Sequence, residues 1–206
     1  MLSAFGLLAA RPALGQACKC SDVGALKTRE TEVKAALAAY QTEIQKMTEQ
    51  MMRTQQSLPY TPERRQKLQG RVKQAIDTAM AGKPSPAAPA DGQNPGGTDN
   101  LCNTTINETI PPCMRESIAA HEQLHRDECL QTRTAGAVAS SVLNGSDRFE
   151  RDHRQLTDYA AEEINGYMKE LMFTSSELAR LKSSPDCAPK PPPQQKRDYT
   201  AQPRVP

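Results

Sequence analysis

The chain has 206 residues, of which 37% are hydrophobic, with three Phe, five Tyr and no Trp, so a large aromatic core is excluded. The formal net charge of +2 comes with no basic run and no aromatic–basic interleaving, so a nucleic-acid partner is not expected. No apolar stretch reaches the roughly 20 residues that span a bilayer as a helix, so no stable transmembrane anchor is expected either.

Residues 1–10, MLSAFGLLAA, read as the apolar core of a signal peptide, and residues 11–17, RPALGQA, as its end. Gly15 and Ala17 give a small-x-small cleavage pattern that starts the mature chain at Cys18. No positive n-region precedes the apolar core, which points to a start codon upstream of Met1. Lipidation at Cys18 is the weaker reading, because Gly15 stands where a lipoprotein signal has Leu. The six cysteines are Cys18, Cys20, Cys102, Cys113, Cys129 and Cys187. They form no pair of CxxC knuckles, so they read as half-cystines of a secreted or periplasmic chain, and their spacing does not choose a pairing.

Residues 21–57 read as one amphipathic helix, with Leu26, Val33, Leu37, Tyr40, Ile44, Met47 and Met51 at three-four spacing. Ser21 or Asp22 can cap its start, and Leu58-Pro59-Tyr60 ends it. Thr61-Pro62-Glu63 begins a second helix with an N-cap hydroxyl, a first-turn Pro and an acid near the positive end of the dipole. Leu68, Val72, Ile76 and Met80 form its stripe, and Gly82 is its expected C-cap. Residues 18–82 are therefore expected as an antiparallel helical hairpin.

Residues 83–110 follow as a linker. The stretch 83–100 is rich in Pro, Gly, Asp and Asn without periodicity and reads as loop or disorder, and 101–110, LCNTTINETI, can hold one short strand. Residues 111–183 form a second hairpin: a helix over about 113–143, a turn at Asn144-Gly145-Ser146, and a helix over about 147–182. The last carries Phe149, Leu156, Ile164, Met168, Leu171, Leu178 and Leu181 among its apolar positions. Residues 184–206, with PKPPPQQKR, read as a disordered Pro-rich tail. The expected fold is mainly α, with about four long helices in antiparallel hairpins and at most one short strand.

Two of the three histidines, His121 and His125, stand in HEQLH on the third helix. A spacing of four puts them on one face, about one turn apart, where both imidazoles reach one ion. Neutral imidazoles bind Zn²⁺ without cancelling its charge, so water at the ion ionises near neutral pH. Glu122, beside the first ligand, is placed to take that proton and pass it to a leaving group.

A catalytic zinc needs a third protein ligand. The continuation RDECLQ excludes the metzincin pattern. His153 is one candidate, although it lies in the RDHR charge cluster. Glu163 is the better one: about 21 residues back from the turn reaches His121–His125 and about 18 forward reaches Glu163, so the two sites are level. Glu163 also falls on the stripe of Leu156, Ile164, Tyr167 and Leu171, where a buried acid needs a partner. Glu162 is the exposed neighbour by this count. Cys129, one turn past His125, reads as a half-cystine before a ligand, and Asp127 and Glu128 belong behind the ligands or in solvent.

HEQLH followed on a later helix by a glutamate resembles the zincin-type metallopeptidases of the gluzincin kind. EINGY is similar to the E-x-x-A-Y string that follows HExxH in small bacterial secreted zincin-like domains. The resemblance covers residues 113–171. It implies His121, His125 and Glu163 as zinc ligands and Glu122 as catalytic base, with Tyr167 one turn from Glu163 polarising the substrate carbonyl or serving as a core tyrosine. Zincins place an antiparallel edge strand above the metal to hold an extended peptide, and residues 101–110 are the stretch expected to supply it.

The sequence thus reads as a secreted or periplasmic zinc-dependent hydrolase acting on a peptide or protein. The rival is a non-catalytic, disulfide-stabilised helical binding or accessory protein of the cell envelope. Its interaction surfaces would be the 21–57 helix and the Pro-rich tail.

Overall fold

The computed structural model describes residues 18–99, 101–139 and 155–187. The signal-peptide segment, the Asn144-Gly145-Ser146 turn and the tail after residue 187 lie outside these residues. Four helices are described: α1 (Val23–Thr54), α2 (Pro62–Met80), α3 (Pro112–Ala139) and α4 (Leu156–Ser183). Two short strands, β1 (Gly96–Thr98) and β2 (Thr104–Ile106), form one antiparallel ribbon with Gly97 opposite Thr105. The fold is mainly helical, as the periodicity implies.

The α1 seam buries Leu26, Val33, Leu37, Tyr40 and Met47, and it also buries Arg29, Glu32 and Glu43. Its start is a 3-10 turn over Cys20–Asp22, in which Asp22 accepts from the Lys19 amide instead of capping α1. Gln55 takes a left-handed conformation (φ 54°) and returns its amide to the Met51 carbonyl, which ends α1 three residues before the expected stop. In α2, Thr61 Oγ1 accepts from the Arg64 amide at 3.3 Å and Pro62 opens the helix. The left-handed C-cap falls on Ala81 (φ 48°), one residue before the expected Gly82.

Arg71 pairs with Glu43, and Ser85, just past α2, donates to Glu32 at 2.8 Å. Rising numbers on one side thus meet falling numbers on the other, as in an antiparallel hairpin. The same test holds for α3 and α4, where Ser117 meets Glu170 and His125 meets Glu162. The fourth helix begins at Leu156; residues 147–154, also expected to be helical, lie outside the described residues. Gln155 is extended and bridges to Pro59, and the Leu156 amide donates to the Leu58 carbonyl at 3.0 Å. Pairing with the α1–α2 connection overrides helix propensity there. Met168, expected on the apolar stripe, is 49% exposed, while Tyr159, Ala160, Glu170 and Thr174 are buried.

The segment expected as an irregular linker holds β1 and buries Ala87. Two strands therefore stand where at most one was expected. The sequence Gly-Gly-Thr has no strand propensity; β1 forms because it pairs with β2 and lies against α3. A Cβ at Gly96 would meet Ile118 Cγ2 at 2.8 Å, so only glycine passes that close.

All six cysteines are paired, as Cys18–Cys113, Cys20–Cys187 and Cys102–Cys129. Three disulfides fit an extracellular or periplasmic protein. Among the described residues no helix is long and apolar enough to cross a membrane.

Among the described residues the core has two apolar clusters. One gathers Leu26, Ile110, Met114, Ile118, Leu178 and Leu181 around the Cys18–Cys113 bridge. The other gathers Ala36, Tyr40, Leu68, Val72, Leu156 and Tyr159. Along α1, α3 and α4 a layer of polar residues is buried beside these clusters: Arg29 and Glu32, Ser117 and His121, Glu170.

Candidate metal centre

That polar layer holds the HEQLH helix against α4. The Nε2 atoms of His121 and His125 face each other at 3.0 Å. Glu163 Oε2 lies 3.7 Å from His121 Nε2, and one donor atom from each of the three residues falls within 4.8 Å of the others. The helical spacing and the level crossing of α3 with α4 thus bring together the three residues that sequence proposes as ligands. His153 lies outside the described residues.

The outer nitrogens of both rings face carboxylates. His125 Nδ1 is 2.9 Å from Glu162 Oε1, and His121 Nδ1 is 3.6 Å from Glu170 Oε2. A neutral ring that keeps its proton on Nδ1, toward the carboxylate, leaves Nε2 with a bare lone pair. Two such lone pairs at 3.0 Å repel unless a proton or a metal ion lies between them. Bonds of about 2.0–2.1 Å to a tetrahedral zinc put two nitrogens roughly 3.3 Å apart, close to what is seen. The donor set therefore fits zinc.

Electrostatics point the same way. Burial opposes protonation of His121, but Glu163 and Glu170 outweigh it and hold its pKa at about 9. Burial likewise opposes His125, and Glu162 and Glu163 raise it nonetheless. For Glu163, burial is outweighed by His121, His125 and the Tyr159 hydroxyl, which lower its pKa. Glu170 is fully buried, yet Arg29 and His121 outweigh that burial and bring its pKa down to about 2. Glu122, Glu162, Glu163 and Glu170 crowd two imidazoles, while the nearby Arg29 is shared with Glu32. The layer has an excess of negative charge that a divalent cation would balance.

Glu122 also meets the ribbon. Thr98 Oγ1 donates to its Oε2 at 3.1 Å and lies 3.3 Å from its carbonyl. Burial raises the Glu122 pKa against the pull of His121 and His125. The strand beside Glu122 is thus β1, in the stretch read as irregular, and not the 101–110 segment expected to supply it, whose β2 is its pairing partner.

Tyr167 brings its ring to the site. It meets the His121 ring edge-on, with centroids 4.6 Å apart, and leans on Tyr40 at 5.9 Å. The tyrosine hydroxyl bonded to Glu163 is that of Tyr159, which also accepts from Gln69 Nε2 at 2.8 Å.

Glu162 is corrected from exposed neighbour to half-buried partner of His125: α3 lies over the boundary between the two successive glutamates, so both reach it. Cys129 is a half-cystine, as expected. Asp127 is exposed and accepts from Gln123 at 2.7 Å, while Glu128 is half-buried and forms a second close group with His125 and Glu162.

Sequence reasoning missed Glu170, Gly166 and Thr98. Glu170 carried a usable signal, seven residues past Glu163 on the same helical face. Gly166 carried one too, as a lone glycine inside a strong helix; a Cβ there would stand 2.7 Å from His121 Nε2. Thr98 had no periodic pattern around it. No protein-family model, no curated protein and no solved structure matches the chain.

Proposed function

We propose that the chain is an exported, disulfide-stabilised zinc protein that hydrolyses a peptide or protein bond. His121, His125 and Glu163 would hold the metal. The observation that carries this reading is the opposed pair of Nε2 atoms at 3.0 Å, each ring backed by a carboxylate. Zinc bound there supplies Lewis acidity and makes water ionisable near neutral pH.

The chain's own residues do the rest. Glu122, adjacent in sequence to a ligand and steadied by Thr98, accepts the proton of the attacking water and returns it to the leaving amine. Glu162 and Glu170 keep the imidazole rings turned inward, and the Tyr167 ring blocks rotation of His121. A strand beside the base supports an extended peptide as substrate. Export rests on the leader-like residues 1–17 and on the three disulfides. Cys18 Sγ is bonded to Cys113, which leaves no thiol there for a lipid.

A second reading is a metal-holding accessory protein without turnover; the low exposure of His121, 8%, favours it. Metal analysis of the wild type beside His121→Ala, followed by peptidase assay of Glu122→Gln, separates the two. One zinc per chain, lost in the first variant, with activity abolished in the second, supports the hydrolase. Zinc binding with no peptidase activity in the wild type supports the accessory protein.

A further inference from the structure

Arg29 belongs to α1, in the hairpin that sequence separates from the HEQLH helix, yet its guanidinium is buried against α4. Its Nε donates to Glu170 Oε1 at 2.7 Å, and its Nη1 pairs with Glu32 Oε2 at 2.7 Å. Glu32 is held in turn by Ser85 Oγ at 2.8 Å. Glu170 Oε1 also accepts from Ser117 Oγ of α3 at 2.7 Å. Donors from two different helices therefore converge on one oxygen and fix the plane of the carboxylate. The other oxygen, Oε2, is buried without a hydrogen bond and stands 3.6 Å from His121 Nδ1.

Desolvating a guanidinium and a carboxylate is expensive, and an apolar pair of the same size would join α1 to α4 at least as firmly. Adhesion therefore does not account for the ion pair. What it gives that an apolar pair does not is a carboxylate aimed in one direction.

We infer that Arg29 is a positioning residue of the metal centre: by fixing Glu170 it sets the rotation of the His121 ring and the direction in which Nε2 points. The centre is then built by three helices, and the N-terminal hairpin is part of it. This rests on the reading of His121 as a metal ligand.

The test is zinc affinity of the full chain, measured by competition with a fluorescent chelator, for wild type, Arg29→Met, Arg29→Lys, Glu170→Gln and the Arg29→Met/Glu170→Gln double variant. Helix content and disulfides of each metal-free variant are checked by circular dichroism and thiol titration. Arg29→Met and Glu170→Gln should each weaken zinc binding about 10- to 100-fold. Arg29→Lys, which keeps the charge, should recover part of the loss. The double variant should lose no more than the worse single one, because Arg29 acts through Glu170. Wild-type affinity in a folded Arg29→Met, or additive losses in the double variant, overturns the inference. Should Arg29→Met fail to fold, Arg29→Lys and Glu170→Gln decide it: wild-type affinity in both overturns it. A wild type that binds no zinc overturns the reading of the centre itself, a distinguishable failure.

Discussion

Gly166 lies directly against the imidazole of His121. A Cβ at position 166 would stand 2.7 Å from Nε2, 2.8 Å from Cε1 and 2.9 Å from Cδ2, closer than carbon atoms pack. The likeness of EINGY to an E-x-x-A-Y string therefore breaks at one position for a steric reason: alanine does not fit under this ring.

Gly166→Ala should accordingly displace His121 and weaken zinc binding by roughly ten-fold or more. Alanine is the better helix former by about 0.5–1 kcal/mol, while overpacking costs about 1–3 kcal/mol. Chelator competition reports the loss of affinity, and circular dichroism should show α4 intact. Unchanged zinc affinity would show that the ring moves aside freely.

The stability of the metal-free form and its affinity for zinc should run in opposite directions with pH. In the metal-free protein His121 has a pKa of about 9, above its unfolded value of about 6.5. Its stabilising contribution is complete below the unfolded value and is lost as pH rises through the folded one. Zinc competes with those protons, so its affinity should climb over the same window. Thermal melts of both forms across that range, with calorimetry in buffers of different ionisation enthalpy, check the sign and the proton release. The carboxylates act at the other end: the Glu170 contribution is present above its unfolded value and lost as pH falls toward about 2.

Thr98→Val should separate catalysis from metal binding. The hydroxyl that steadies Glu122 disappears while the zinc ligands are untouched. Hydrolysis should slow by roughly 10- to 100-fold with zinc stoichiometry unchanged, and Thr98→Ser should restore most of the rate. A fall in kcat with little change in KM is the expected split.

Replacing both Cys102 and Cys129 by Ser opens a bridge spanning 27 residues. The loss should be about 3–4 kcal/mol, read from denaturant unfolding. Zinc should still bind one to one, since Cys129 is a half-cystine and not a ligand. Loss of zinc with the helices intact would return Cys129 to the ligand set.

What was legible in the sequence follows the 3.6-residue period. The seam of α1, the capped start of α2 and the level crossing of His121 with Glu163 all come from counting along helices. Of the ribbon, β2 was legible as the short strand expected within 101–110, whereas β1 was not, because it is Gly-Gly-Thr and owes its existence to Ile118 and β2 rather than to its own residues. The charged layer was half legible. Glu163 was selected because a buried acid needs a partner; a buried charge of either sign needs one, which holds for Glu170 and for Arg29, and both interrupt apolar stripes. The start of α4 depended on a pairing with Leu58 and Pro59 that no local pattern announces.

The central claim is that His121, His125 and Glu163 hold one metal ion. A zinc titration of the refolded, metal-stripped chain beside the His121→Ala/His125→Ala/Glu163→Gln variant tests it most directly. The account predicts one tight, saturable site per chain in the wild type and none in the variant. No saturable binding by the wild type, or the same binding by both, would contradict it.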